Sequence, residues 1–144
     1  MIKNLEEQLE KAINLASIHH YDQKDKSGKP YIFHLIHVMN NVEVLDAKVV
    51  AILHDILEDT DMTKEDLINY GFSENIVESI NVLTKPKQQV YMQYIENVKK
   101  NSIAKQVKLV DLKHNMDLTR LKCITENDLR RTEKYFKAYQ YLLN

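Results

Sequence analysis

Apolar residues recur every three or four positions along most of the chain. Leu5, Leu9, Ala12, Ile13 and Ala16 share one face over residues 5–21, with Glu6, Glu7, Glu10 and Lys11 opposite, which predicts an amphipathic helix. Residues 22–30 are polar, contain Gly28 and predict a loop. A second helix is predicted over 32–42 and a third over 46–59. The middle of the third, Val49-Val50-Ala51-Ile52-Leu53, is apolar on nearly every side, as a buried central helix would be. Thr63 followed by Asp66 reads as a helix N-cap with an acid at the third position, and Gly71 should stop that helix. Ser73 is the expected cap of the next, which carries Ile76, Val77, Ile80 and Leu83 and ends by Pro86. Two more helices are predicted over 90–99 and 103–121. Thr125 opens the last, whose apolar face is Leu129, Tyr135, Phe136, Tyr139, Leu142 and Leu143. No period-2 run competes, so the pattern predicts an all-α fold of about eight helices, with residues 1–144 forming a single domain.

Composition supports this reading. Two glycines and two prolines in 144 residues leave few tight turns, and strand-rich folds need many. Lys+Arg number 20 against 21 Asp+Glu. The near-neutral balance argues against nucleic acid as a partner, since duplex binding needs a basic excess, but it is compatible with a small anionic ligand. The single cysteine, Cys123, excludes an internal disulfide and a Cys-based zinc site. No stretch has the ~18 apolar residues of a membrane span, and residues 1–7 are too polar for a secretory signal. The expectation is a soluble cytoplasmic protein.

Candidate chemistry is concentrated where the central helix ends. An apolar run leads into His54-Asp55, and Glu58-Asp59 follow one turn later. At ~100° per residue, all four fall within an arc of roughly 140° on a continuous helix. Three carboxylates crowded there repel one another and oppose the helix dipole. A bound cation would relieve the repulsion; a solvated polar helix end is the plainer alternative. Further His and Asp residues lie at a distance. His34 opens the second helix, with His37 one turn on. Asp111 sits in the apolar segment Val107-Lys108-Leu109-Val110-Asp111-Leu112, where a carboxylate needs a partner, and Asn115 follows one turn later on the same face.

Four blocks, in order, resemble the HD-domain metal-dependent phosphohydrolases, and among them the hydrolase domain of the RelA/SpoT alarmone enzymes and their small stand-alone relatives. The blocks are residues 20–34, residues 51–60 (Ala-Ile-Leu-His-Asp-Ile-Leu-Glu-Asp-Thr), Leu83-Thr84-Lys85, and residues 107–116. The resemblance implies His34, His54, Asp55 and Asp111 as metal ligands and Glu58 and Asp59 as the catalytic acidic pair. It places Lys26, Ser27 and Asn115 against the nucleotide. It further implies a divalent metal, usually Mn2+ with Fe2+ or Zn2+ also suited to two imidazoles and two carboxylates. The implied reaction removes the 3′-diphosphate of guanosine tetra- or pentaphosphate as pyrophosphate.

Two positions depart from the pattern. The Arg that precedes the Lys-Ser of the loop, where its guanidinium packs on guanine, is Asp25, and the proline after the first metal histidine is Leu35. The ligand pattern is unaffected, but Asp25 bears on the base. It cannot stack as a guanidinium does, though it could accept hydrogen bonds from a base edge. Two alternatives therefore stand beside the alarmone reading: an HD hydrolase of another phosphorylated nucleotide or metabolite, and a sensor that binds a nucleotide without turning it over. The acidic pair argues against the sensor, which has no use for it.

Overall fold

The computed structural model describes residues 4–144, so Met1, Ile2 and Lys3, part of the segment on which the absence of a secretory signal was read, lie outside the described residues. The elements are α1 (Leu5–His19), α2 (Ile32–Asn40), α3 (Leu45–Leu53), α4 (Ile56–Asp59), α5 (Lys64–Asn69), α6 (Glu74–Val82), α7 (Tyr91–Lys99), α8 (Ser102–Asn115), a 3-10 turn (Leu118–Arg120) and α9 (Glu126–Leu143). The fold is all-α. One antiparallel bridge, Lys24 to Pro30, pinches the base of the predicted loop. No helix among the described residues is long and apolar enough to cross a membrane.

α3 is the central helix. Ala47 and every residue from Val49 to Leu53 are fully buried, and α1, α2, α6 and α8 pack around it. The buried apolar side chains of all these helices form one cluster. The predicted cap at Thr63 is present as a full capping box, and Thr125 makes a second: Thr63 accepts from the Asp66 N–H, and Thr125 from the Asp128 N–H, each acid bonding back to the cap backbone. Gly71 ends α5 at φ 92°, a left-handed C′ position that glycine occupies without strain.

Four local expectations are corrected. The predicted helix 46–59 is two helices. After Leu53 the ladder slips: the His54 N–H bonds the Ala51 carbonyl three residues back at 3.4 Å, and the His54 ring Nδ1 competes for the same oxygen at 2.6 Å. Asp55 then adopts φ −103°, ψ 1°, and α4 restarts. Ser73 precedes α6 but makes no cap bond. Its hydroxyl takes a hydrogen bond from the buried Gln8 amide (2.9 Å), and its N–H donates to Gln8 Oε1 (3.0 Å), which ties α1 to α6. The segment 103–121 is α8 only to Asn115; Asp117 Oδ1 then accepts the Thr119 N–H and starts the 3-10 turn. On α9, Ala138 and Leu142 are buried, while Leu129, Phe136 and Leu143 are at least half exposed. A helix buries only one stripe, and the stripe facing α7 and α8 is the one through Ala138 and Leu142.

Ile52 has no exposed surface and lies at the centre of this packing. Ile52→Ala should cost about 3–4 kcal/mol, read as a lower urea midpoint at constant slope.

Candidate metal centre and nucleotide pocket

Three helices deliver one ligand atom each to a single point. His34 lies in the first turn of α2, His54 caps the C-terminus of α3 and Asp111 lies on the inner face of α8. All three are buried, and their ligand atoms lie within 4.8 Å of one another. His34 Nε2 is 2.8 Å and His54 Nε2 3.3 Å from the same oxygen, Asp111 Oδ1. Asp55 stands beside this trio: its Oδ2 is 3.2 Å from His54 Nε2 and accepts a hydrogen bond from the Tyr31 hydroxyl. On the far side of Asp111, Lys108 Nζ is 2.9 Å from Oδ2, and the Asn115 amide donates to Oδ1 at 3.1 Å.

The charges follow from this packing. Burial raises the Asp111 pKa, but Lys108 first and then His54 outweigh it and hold the carboxyl well below its usual range. Burial also raises Asp55; the neighbouring His54 overrides it and brings the carboxyl down to about 2. Burial disfavours a charged His54, yet Asp55 and Asp111 lift its pKa well above the usual value. The buried Asp111 and the part-buried Asp55 thus draw a positive charge to their shared centre. The donor set suits a divalent cation. Each histidine turns Nε2 inward and has Nδ1 bound elsewhere, His54 to the Ala51 carbonyl and His34 to His114 at 2.7 Å, as metal-binding imidazoles do. Two imidazoles with carboxylate oxygens match Mn2+, Fe2+ or Zn2+.

Glu58 and Asp59 stand on α4, exposed beside this centre. Burial of part of each side chain, followed by the charge of Asp55, raises both pKa values, which suits proton acceptors. The Lys85 N–H donates to Glu58 Oε1 at 3.2 Å, which brings the Leu83-Thr84-Lys85 block against the acidic pair. Asp59 is held through its carbonyl by the Gln23 amide (3.0 Å), and Gln23 Oε1 accepts from His20 Nδ1 (2.8 Å). His20, a residue that sequence reasoning leaves without a role, is 2 % exposed and buttresses the acid pair at one remove. The available signal was its place at the head of the first matching block.

Beside the metal centre lies a pocket of about 300 Å³, lined by Lys26, Ser27, Tyr31, Asn115, Arg120 and Arg131 among others. Tyr31 belongs to both, its ring in the pocket wall and its hydroxyl on Asp55. Asp25 does not read a base edge with Oδ1, which is saturated by the Ser27 N–H (2.9 Å), the Ser27 hydroxyl (2.7 Å) and the Lys29 N–H (2.9 Å). It shapes the loop instead. Its Oδ2 is 3.6 Å from the Arg120 guanidinium, which also donates to the His114 carbonyl at 2.9 Å. Both contacts engage the edge of the guanidinium rather than its faces. Arg120 and Arg131, the latter paired with Asp128 on α9, were not assigned to the site from sequence.

Lys108 neutralises the buried Asp111. Lys108→Met should destabilise the metal-free protein by about 3–5 kcal/mol, and added Mn2+ should recover part of the loss by binding only the folded state. Urea unfolding with and without metal measures both.

No family model matches the chain. Curated relatives do. The guanosine-3′,5′-bis(diphosphate) 3′-pyrophosphohydrolase MESH1 of Danio rerio is 35% identical over 140 residues, covering 87% of this chain and 76% of that protein. Its Mus musculus counterpart is 34% identical over 146 residues, covering 90% and 79%. A guanosine-3′,5′-bis(diphosphate) 3′-pyrophosphohydrolase of Aquifex aeolicus is 36% identical over 83 residues, 55% of this chain; the match spans 12% of that longer protein. Among solved structures, a metazoan ortholog of SpoT that hydrolyzes ppGpp superposes with a TM-score of 0.77 at 25% identity, covering 95% of this chain and 85% of the other. The shared sequence over most of both chains and the shared arrangement of helices lead to one conclusion: the chain belongs to the MESH1-like family of guanosine-3′,5′-bis(diphosphate) 3′-pyrophosphohydrolases.

Proposed function

We propose that this protein is a metal-dependent phosphohydrolase that removes the 3′-diphosphate of guanosine 3′,5′-bis(diphosphate) as pyrophosphate. One observation carries the reading: two buried imidazoles converge on one buried carboxylate oxygen, and Tyr31 joins that point to a pocket whose wall includes Lys26, Arg120 and Arg131. His34, His54, Asp55 and Asp111 would hold the metal, with Mn2+ the proposed native ion. When bound, the ion supplies Lewis acidity to a water and to a phosphate oxygen.

The protein's own groups do the rest. Glu58 or Asp59 takes the proton of the attacking water, the raised pKa of each bringing it closer to neutrality as a base. Tyr31 holds Asp55 in place. Lys26 and Arg131 neutralise phosphate charge at the pocket wall, and Ser27 and Asn115 offer polar contacts to the nucleotide. Arg131 is paired with Asp128, so a phosphate that takes Arg131 competes with a carboxylate already there. Arg120, tethered by Asp25 and the His114 carbonyl, presents a flat cationic face to the base. The substrate is a small phosphorylated nucleotide, and the proposed site of action is the cytoplasm.

Asp25 favours a second reading in which the same chemistry acts on another phosphorylated nucleotide, since the loop itself offers a base no guanidinium.

Purified protein with Mn2+ should release pyrophosphate from guanosine tetraphosphate, and Asp55→Ala should abolish release. Whichever of Glu58→Gln and Asp59→Asn removes the base should lower kcat by about 10²–10⁴-fold with KM within threefold. Full activity in both variants would overturn the mechanism. A wild-type protein that holds metal yet spares guanosine tetraphosphate, while cleaving another nucleotide in the same assay, would replace the substrate. Arg120→Ala should raise KM about tenfold at nearly unchanged kcat, as loss of a contact worth about 1–3 kcal/mol per stacked base predicts; an unchanged KM would remove Arg120 from substrate binding.

A further inference from the structure

Behind the metal-facing edge of His34 lies a second histidine. His34 Nδ1 and His114 Nδ1 are 2.7 Å apart. Their rings lie within 8° of parallel with centroids 5.0 Å apart, too far for face-to-face stacking and right for two rings set edge to edge in one plane. The contrast is His37, whose ring lies flat on His114 at 3.7 Å and 13°. His114 is thus held across its face by His37 while its edge meets His34, and its own carbonyl is held by Arg120 at 2.9 Å.

A nitrogen–nitrogen contact of this length needs one proton between the two atoms, with one nitrogen donating and the other bare. His34 Nε2 meanwhile faces the ionised Asp111 at 2.8 Å. Without a metal, Nε2 donates to Asp111, so that wherever His34 Nδ1 is bare it must accept from His114. With a metal on Nε2 the assignment reverses: His34 carries its hydrogen on Nδ1 and must donate.

We infer that His114 is the positioning residue for His34, an amphoteric partner that donates to its Nδ1 in the metal-free state and accepts from it in the metal-bound state. A carbonyl partner, such as Ala51 gives His54, can only accept. The proton count balances. On metal binding the Nδ1 proton passes from His114 to His34, the displaced His34 Nε2 proton leaves to solvent, and His114 Nε2 gains one from solvent. Each ring keeps one proton throughout. His114 has the access this requires, because it also lines a separate pocket of about 400 Å³ with His37, Asn41 and Lys113.

The inference rests on the proposed metal centre but on no particular substrate. Two variants of the full chain separate a positioning role from a packing role. His114→Phe keeps a ring for His37 and removes the nitrogen. His114→Asn places an amide, able to donate or accept, where Nδ1 stood. Chelator competition with Zn2+ and Mn2+ should show His114→Phe weakened by about 10–100-fold and His114→Asn within threefold of wild type. Nitrogen-15 imidazole spectra of the wild type should show His34 protonated on Nε2 without metal and on Nδ1 with Zn2+, which decides the matter even if His114→Phe does not fold. Wild-type affinity in His114→Phe, an Asn variant as weak as the Phe variant, or His34 coordinating through Nδ1 would each overturn the inference. A wild type that binds neither metal would instead remove the metal centre itself, and the inference with it.

Discussion

A carboxylate buried in a helical core without compensation costs several kilocalories per mole, and Asp111 is the point at which this protein accepts that burden. Lys108 from its own helix, His34 from α2, His54 from the end of α3 and Asn115 one turn along all converge on its two oxygens. The hydrophobic cluster sets α2, α3 and α8 side by side, but hydrophobic contact has no direction and tolerates small slides. The hydrogen bonds on Asp111 do not. They fix the mutual register of three helices to within bonding distance, and that register brings two imidazole Nε2 atoms to one oxygen. Packing and chemistry are therefore the same constraint seen from two sides.

The charge distribution follows a similar economy. The pocket contains several carboxylates, yet they are mostly engaged by the protein itself. Asp25 organises the loop through Ser27 and Lys29, Asp117 opens the 3-10 turn, and Asp128 closes the cap box of α9 while holding Arg131. Acidic residues used as backbone caps repel an anionic ligand less than free ones would. A chain with near-zero net charge can thus maintain a locally cationic recess.

Much of this was legible in the sequence. The period of the apolar residues located the helices, because burial of one stripe is what makes short helices stable. Val49 to Leu53 announced the central helix by having no polar face. His34, His54 and Asp111 do meet, although nothing in their spacing alone brings together residues so far apart; the resemblance of four ordered blocks supplied that. Asp55 lies beside the trio, on Tyr31 and His54. What stayed hidden depends on contacts between distant segments. The break after Leu53 follows from a histidine ring competing for a backbone carbonyl. Ser73 has the residue type of a cap and spends its hydroxyl on Gln8. Arg120 enters the pocket because α8 ends early and the chain turns back, and no local pattern reports a turn of that kind.

The slip at His54 and Asp55 leaves the two proposed proton acceptors on a helix of only four residues, joined to the core helix by a distorted turn. Its inner anchor is a single fully buried residue, Ile56, while Glu58 and Asp59 face solvent. Free energies of local opening scale with buried contacts and secure backbone bonds. The amides of α4 therefore belong to a far less protected class than those of α3 beside them.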